Sequence, residues 1–209
     1  MPELPEVQTI VGDLNKKIKG LTIADVWTDW PKYFRRLQGG FEGFRETVKN
    51  KKINKIWRIG KNIIFDLSGD KEILIHQKMT GHILIGTWNM RHGTWAPAQK
   101  GPLTEKVNNY IHLVLYLDNG WQLGLSDLRK FAKVLFGPKK EIEKLPDLTK
   151  IGPEPLNKSL TVEKFKSLIS SRNGKIKQVL MDQEIIAGIG NIYADEILWQ
   201  AKIHPFRLA

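Results

Sequence analysis

Val7, Ile10, Val11, Leu14 and Ile18 recur at spacings of three and four, with Lys16, Lys17 and Lys19 on the opposite side. This pattern predicts one amphipathic helix from about Pro5 to Lys19. Pro5 suits a first helical turn and Gly20 ends it. From Leu21 to about Phe136 the period shortens. Thr22–Trp27, Ile53–Ile59, Asn62–Leu67, Glu72–His76, His82–Gly86, His112–Leu117, Trp121–Leu125 and Lys133–Phe136 read as strands between Gly, Asn and Asp. Arg58-Ile59-Gly60-Lys61-Asn62 and Leu117-Asp118-Asn119-Gly120-Trp121 read as hairpin turns. Strands at this spacing predict a sandwich or barrel. Asn89–Asn109 lacks a period and reads as a long surface loop. Beyond a Pro-rich stretch the period becomes helical again. Val162, Phe165 and Leu168–Ile169 mark one helix, Ile176, Val179 and Leu180 a second, and Ile192, Ile197, Leu198 and Ala201 a third. The fold class expected is α+β: a helix-led β-sandwich over 1–145, a linker over 146–155, and a helical domain over 156–209.

Composition narrows the chemistry. The 209 residues include 33 Lys plus Arg against 22 Asp plus Glu, a net charge of +11. That surplus on a folded chain favours a polyanionic partner, nucleic acid first. With no cysteine there is no disulfide scaffold, thiol nucleophile or Cys-ligated zinc. No apolar stretch is long enough for a membrane span. The acidic, Pro-rich start Met-Pro-Glu-Leu-Pro-Glu is no secretory signal, so an intracellular, membrane-free protein is expected. With 7 Trp and 8 Phe the chain can build a core rather than remain a basic tail.

Four places carry candidate chemistry. Removal of Met1 is expected before a residue as small as Pro2 and leaves a free secondary amine, a nucleophile near neutral pH. Such an amine attacks a sugar C1′ and forms an iminium, an electron sink for elimination. Glu3 and Glu6 sit beside it at the helix N-terminus, where carboxylates are favoured and where one can move protons. Lys61 at a hairpin tip can reach a phosphate. His76-Gln77-Lys78-Met79-Thr80-Gly81 and Ser126-Asp127-Leu128-Arg129-Lys130-Phe131 each leave a strand. Met79, Arg129 and Phe131 together can form a wedge that unstacks bases. In Gln183 to Glu196, Gly188 and Gly190 open a helix at Asn191, a seat for phosphate. Each feature has an ordinary alternative: a plain helix start, a solvated turn lysine, a core phenylalanine, a glycine pair required by backbone conformation.

Their order along the chain is specific. Met-Pro-Glu-Leu-Pro-Glu-Val, Gly60-Lys61, His76 to Gly81, Ser126-Asp127-x-Arg129-Lys130-Phe131, and Gln183 to Glu196 followed by Ile203-His204-Pro205 resemble the formamidopyrimidine-DNA glycosylase family. The resemblance covers essentially the whole chain. It implies a bifunctional repair enzyme that flips an oxidised purine from duplex DNA, cuts the glycosidic bond and nicks the strand by β- and δ-elimination. It implies Pro2 as nucleophile, Glu3 as acid/base at the sugar, and Glu6 as support. Lys61 belongs to the catalytic set and, with Asn191, Gly190 and Tyr193 at the helix start and with His76, holds DNA around the flipped nucleotide. Met79, Arg129 and Phe131 fill the gap, Arg129 facing the opposite cytosine. The endonuclease-VIII-like branch usually starts Pro-Glu-Gly-Pro and lacks the wedge set. Leu4, Met79, Arg129 and Phe131 therefore match the purine-directed branch, with 8-oxoguanine and formamidopyrimidines as substrates.

Two departures stand out. The wedge motif commonly ends in Gly where this chain has Ala132. Family members also continue past Ile-His-Pro, complete a helix-two-turn-helix domain and add a four-cysteine zinc finger that grips DNA. This chain stops at Ala209, so the resemblance implies an incomplete helical domain and no metal or cofactor held by these residues. A DNA-binding module with impaired or no catalysis is the alternative function, and a basic RNA-binding protein a third. The partner expected is lesion-bearing duplex DNA, bound by a monomer.

Overall fold

The computed structural model describes residues 2–35, 37 and 39–209. Helix α1 (Leu4–Ile18) buries Val7, Val11, Leu14 and Ile18. Each such aliphatic side chain contributes about 1.5–3 kcal/mol when fully buried. The helix lies on β2 (Ile53–Ile59), where the Asn15 side chain donates to Ile56 O and accepts from Ile56 N–H. The strands follow the expected segments: β1 (Ile23–Thr28), β2, β3 (Asn62–Leu67), β4 (Lys71–His76) and β5 (Gly81–Gly86). They continue, after a hairpin, with β8 (Ile111–Leu117), β9 (Gln122–Asp127) and β10 (Lys133–Pro138). Two antiparallel four-stranded sheets result, ordered β1-β8-β9-β5 and β10-β4-β3-β2. One core joins them, from Val26, Leu115 and Leu125 on one side to Ile56, Phe65 and Ile73 on the other. The expected sandwich is present.

Three elements differ from the sequence reading. Residues 89–109 are not a bare loop. They contain most of a hairpin, β6 (Trp88–Arg91) and β7 (Thr94–Pro97), turned by His92 and Gly93 with φ +49° and +79°. Two left-handed residues are what a tight hairpin turn needs. Trp95 anchors the hairpin edge-on to Trp27, ring centres 5.0 Å apart. The second element is α2 (Gly40–Val48), which buries Phe44 and Val48; Phe34 stacks on Phe44 at 4.2 Å. The signal was there in the spacing Phe41, Phe44, Val48, masked by Gly40 and Gly43. The third is the helix opening at Asn191, which buries Ala194 and Leu198 while Ile192 and Ile197 are exposed.

Strands β3 and β4 are buried on both faces. Ile64 and Leu74 pack under Ile142 of α3 (Lys139–Ile142), with Leu145 and with Leu148 of the turn α4 (Pro146–Thr149) alongside. The segment expected as a linker is thus ordered. Gly152 N–H donates to Gln183 O, and Ala187 N–H donates to Pro153 O. The helical part comprises α5 (Val162–Ser170), capped by the Thr161 hydroxyl, α6 (Ile176–Met181) and α7 (Asn191–Gln200). Its core includes Val179, Leu180, Ile185, Ile186 and Ile189. Among the described residues no helix is long and apolar enough to cross a membrane.

One buried group sets a pH dependence. Glu72 on β4 is fully buried, and neither carboxylate oxygen has a hydrogen-bond partner among the described residues. Burial pushes it up to about 7, against the opposing charge of Lys139 4.0 Å away. The folded state therefore holds this proton where the unfolded chain, with an ordinary carboxyl, has lost it. Stability falls as pH rises toward 7 and the loss is complete above it. Glu72→Gln removes the titration. Urea unfolding should show the variant more stable than wild type by about 1–3 kcal/mol at pH 8. The gap should shrink at pH 5, and a pH-independent gap would refute the assignment.

Candidate active site

The head of α1 and the start of α7 meet 187 residues apart in sequence. Glu3, the residue before α1, is buried. Its backbone N–H donates to Glu6 Oε2 at 2.9 Å, so Glu6 closes the first turn from within. The Glu3 side chain turns the other way. Its Oε2 accepts from the N–H of Gly190 at 2.7 Å and of Tyr193 at 3.2 Å, and its Oε1 from Ile192 N–H at 2.8 Å. Glu3 thus occupies the anion seat at the α7 N-terminus that the two glycines were expected to offer DNA. The Tyr193 hydroxyl donates to Glu6 Oε1 at 3.2 Å. Burial and the charges of Glu6 and Glu3 push that phenol up, which keeps its proton in place. Pro2 is half-buried beside this group, and Asn191 is exposed at the first turn of α7.

The glycines are required by close approach. Gly188 has φ +83°, and its carbonyl accepts from Leu4 N–H at 3.1 Å. A Cβ there would lie 2.4–3.0 Å from three side-chain carbons of Leu4. Gly188→Ala should therefore destabilise the protein by about 2–4 kcal/mol, from overpacking plus left-handed strain. Chemical denaturation reads this directly, and a change below 1 kcal/mol, on the scale of a surface substitution, would contradict it.

Lys61 stands at the tip of the β2–β3 hairpin. Gly60 supplies the turn with φ +56°. Glu154, from the Pro-rich segment, clamps that tip: its carboxylate accepts from Gly60 N–H at 2.6 Å and from Arg58 at 2.5 Å. Lys61 is only 5% exposed, and its Nζ donates to Ile189 O at 2.8 Å. The Gln183 amide donates to the same carbonyl at 2.7 Å and accepts from Gly188 N–H at 2.9 Å. Burial pulls the Lys61 ammonium below the ordinary lysine range, and the charge of Glu3 partly opposes this. Sequence reasoning assigned no role to Glu154 or Gln183. An acidic residue between two prolines and an amide five residues before a glycine were the only signals.

His76, at the end of β4, lines an open cleft of about 200 Å³ with Lys61, Asn62, Lys78 and Gln183. Burial, then the charges of Lys78 and Lys61, pull it down to about 4. Its Nδ1 accepts from Lys78 N–H at 3.0 Å, so the neutral ring carries its hydrogen on Nε2. It is a neutral donor rather than a cation.

Met79, Arg129 and Phe131 are brought together on two adjoining turns. Met79 is 55% and Phe131 54% exposed, so neither is a core residue. The Arg129 guanidinium lies over the Phe131 ring at 4.4 Å and 4.0 Å from the Met79 sulfur. Asp127, fully buried, builds the second turn by accepting from Arg129 N–H at 3.3 Å and Ala132 N–H at 2.7 Å. It also accepts the Thr80 hydroxyl, which ties the two turns together. Apolar side chains held out into solvent by a buried carboxylate have the form of an insertion device.

The formamidopyrimidine-DNA glycosylase N-terminal domain matches residues 1–134, and the H2TH domain of the same family matches residues 151–209. The formamidopyrimidine-DNA glycosylases of Desulforamulus reducens and Pelotomaculum thermopropionicum are each 36% identical over all of this chain and 70% of their own length. The chain belongs to the formamidopyrimidine-DNA glycosylase family. It is a DNA glycosylase of the kind that acts on lesion-bearing DNA. Among solved structures, the Lactococcus lactis enzyme in complex with abasic-site DNA matches 99% of this chain and 69% of its own. The TM-score is 0.82 at 32% identity. A relative solved with carbocyclic 8-oxo-G DNA gives the same TM-score and identity. Among the described residues no group of three His, Asp or Glu side chains is arranged to hold a metal ion.

Proposed function

We propose that the protein excises oxidised purines, 8-oxoguanine and formamidopyrimidines, from duplex DNA and nicks the resulting abasic site. The observation that carries this is the junction of the chain's first residues with α7. There Glu3, next to Pro2 in the chain, accepts from Gly190 N–H, and the adjoining Ile189 carbonyl accepts from Lys61 Nζ. The abasic-site and 8-oxo-G DNA bound by the structural relatives supports the substrate class.

With Met1 removed, the Pro2 nitrogen uses its lone pair to bond C1′. The C1′–N bond to the base breaks, and the base leaves with that electron pair and takes up a proton. The nitrogen passes its own proton to Glu3, its freed lone pair expels O4′, and O4′ takes that proton from Glu3, leaving a cationic iminium, the Schiff base. Its pull on electrons acidifies the C2′ hydrogen; loss of that proton breaks the C3′–O bond to phosphate. A second elimination releases the 5′ phosphate, and water hydrolyses the Schiff base to free Pro2. Lys61, Asn191 and neutral His76 hold flanking phosphates, while Met79 and Phe131 occupy the vacated stack and Arg129 faces the orphaned cytosine.

Borohydride reduction tests the covalent step. Protein shown by intact mass to lack Met1 should yield a trapped complex with an 8-oxoguanine·cytosine duplex, and Pro2→Gly should yield none. No trapped complex even with an abasic duplex would reduce the protein to a DNA-binding module.

A further inference from the structure

A groove of about 400 Å³ runs from the wedge residue Phe131 along β10 to the segment around Trp30. Its charged lining is basic throughout: Lys32, Arg35, Lys78, Lys130 and Lys133. Of these, only Lys133 has an ion-pair partner among the described residues, Asp147 at 2.6 Å. Two ammonium groups crowd one aromatic ring, Lys32 Nζ at 4.7 Å and Lys130 Nζ at 4.4 Å from the Trp30 ring centre. The two carboxylates whose charge bears on the groove's Tyr33 are committed elsewhere: Asp29 to His112, and Asp127 to the wedge turns. Lys78 and Lys130 also hold left-handed backbones, φ +55° and +56°, a conformation that costs a non-glycine residue about 1–2 kcal/mol. Each adjoins a wedge residue, Lys78 beside Met79 and Lys130 between Arg129 and Phe131. Paired cations without a counter-anion, set around an indole, are built for a phosphodiester chain.

Phe131 lines the groove and, on the proposed reading, adjoins the Arg129 that faces the base opposite the lesion, which brings that base's own strand next to the groove. We propose that this groove seats the backbone of the DNA strand opposite the lesion, on Lys32 and Lys130 flanking Trp30. The proposal rests on the reading of the protein as a glycosylase whose wedge enters a duplex. The groove then anchors the undamaged strand while Lys61 and Asn191 hold the damaged one, so the two strands are gripped from opposite sides of the gap.

The test measures binding of the full chain to a tetrahydrofuran-containing duplex across a potassium chloride series. The variant Lys32→Ala/Lys130→Ala should reduce the slope of log affinity against log salt by about 2, one for each phosphate no longer neutralised by an ammonium group. The charge-reversed Lys32→Glu/Lys130→Glu variant should weaken binding further, and thermal melting confirms that both fold. Methylphosphonates placed one at a time along the opposite strand should identify positions that weaken the wild type but leave the double variant unchanged. An unchanged salt slope, or coupling to phosphates of the lesion strand instead, overturns the proposal. Borohydride trapping of wild type on an abasic-site duplex of the same sequence separates the two readings. Trapping without opposite-strand coupling defeats the groove alone; coupling without trapping defeats the catalytic reading alone.

Discussion

Glu3→Gln is expected to cut base excision by about 10²–10⁴-fold, the range for removing a positioned acid/base. The same change should also lower stability. The wild-type carboxylate accepts three backbone N–H groups, two on Oε2 and one on Oε1. A glutamine amide has one acceptor oxygen, so its NH₂ must face at least one of these donors. Leaving a buried N–H unpaired costs about 1–3 kcal/mol. The two losses are separable. Excision is measured on an 8-oxoguanine duplex in single turnover, and stability by urea. A variant that loses stability but excises at the wild-type rate would confine Glu3 to capping α7. Because the cap also positions Gly190 and Tyr193, trapping on a preformed abasic site provides a second readout. The open-chain aldehyde of such a site needs neither base departure nor the O4′ protonation assigned to Glu3, so trapping should fall far less than excision.

Lys61→Ala is expected to lower single-turnover excision by about 10²–10³-fold, the scale for removing one preorganised electrostatic donor. It should leave the fold in place, because Gln183 still donates to Ile189 O. The pH behaviour supplies a sharper test. Burial pulls the Lys61 ammonium below the ordinary lysine range. In the window between its folded and unfolded values the unfolded chain binds more protons, so this lysine's contribution to stability rises with pH. Activity that needs the ammonium falls through the same window. Wild-type excision should therefore decline on the alkaline side at a pH below that of an ordinary lysine, and the Lys61→Ala variant should lack that limb. Matching alkaline profiles in the two proteins would remove Lys61 from the reaction.

The wedge shows how far local pattern carries. Two turns following strands were legible, and so was the pairing of an arginine with a phenylalanine two residues on. Whether Phe131 is core or surface was not, since a phenylalanine after a strand is usually buried. Asp127 settles it by fixing the backbone of the turn from inside and leaving the ring outside. The Trp88–Pro97 hairpin was hidden for a related reason. Its strands are short, and its stability comes from Trp95 packing on Trp27, a contact across sixty-eight residues that no local window contains.

By itself the sequence determined the secondary structure of the sandwich, since period two and period 3.6 report directly on which side chains must leave water. It also determined the family's motif residues and their order. Tertiary structure alone decided what those residues touch. The glycines before α7 resembled an open phosphate seat. Folding places the Glu3 carboxylate there, because the N–H groups of a helix start must be satisfied and the buried head of α1 is the nearest acceptor. It likewise put Glu154 under the Lys61 hairpin and made His76 a neutral donor. Burial and hydrogen bonding between distant segments set charge and reach, and neither is written in the spacing of residues along the chain.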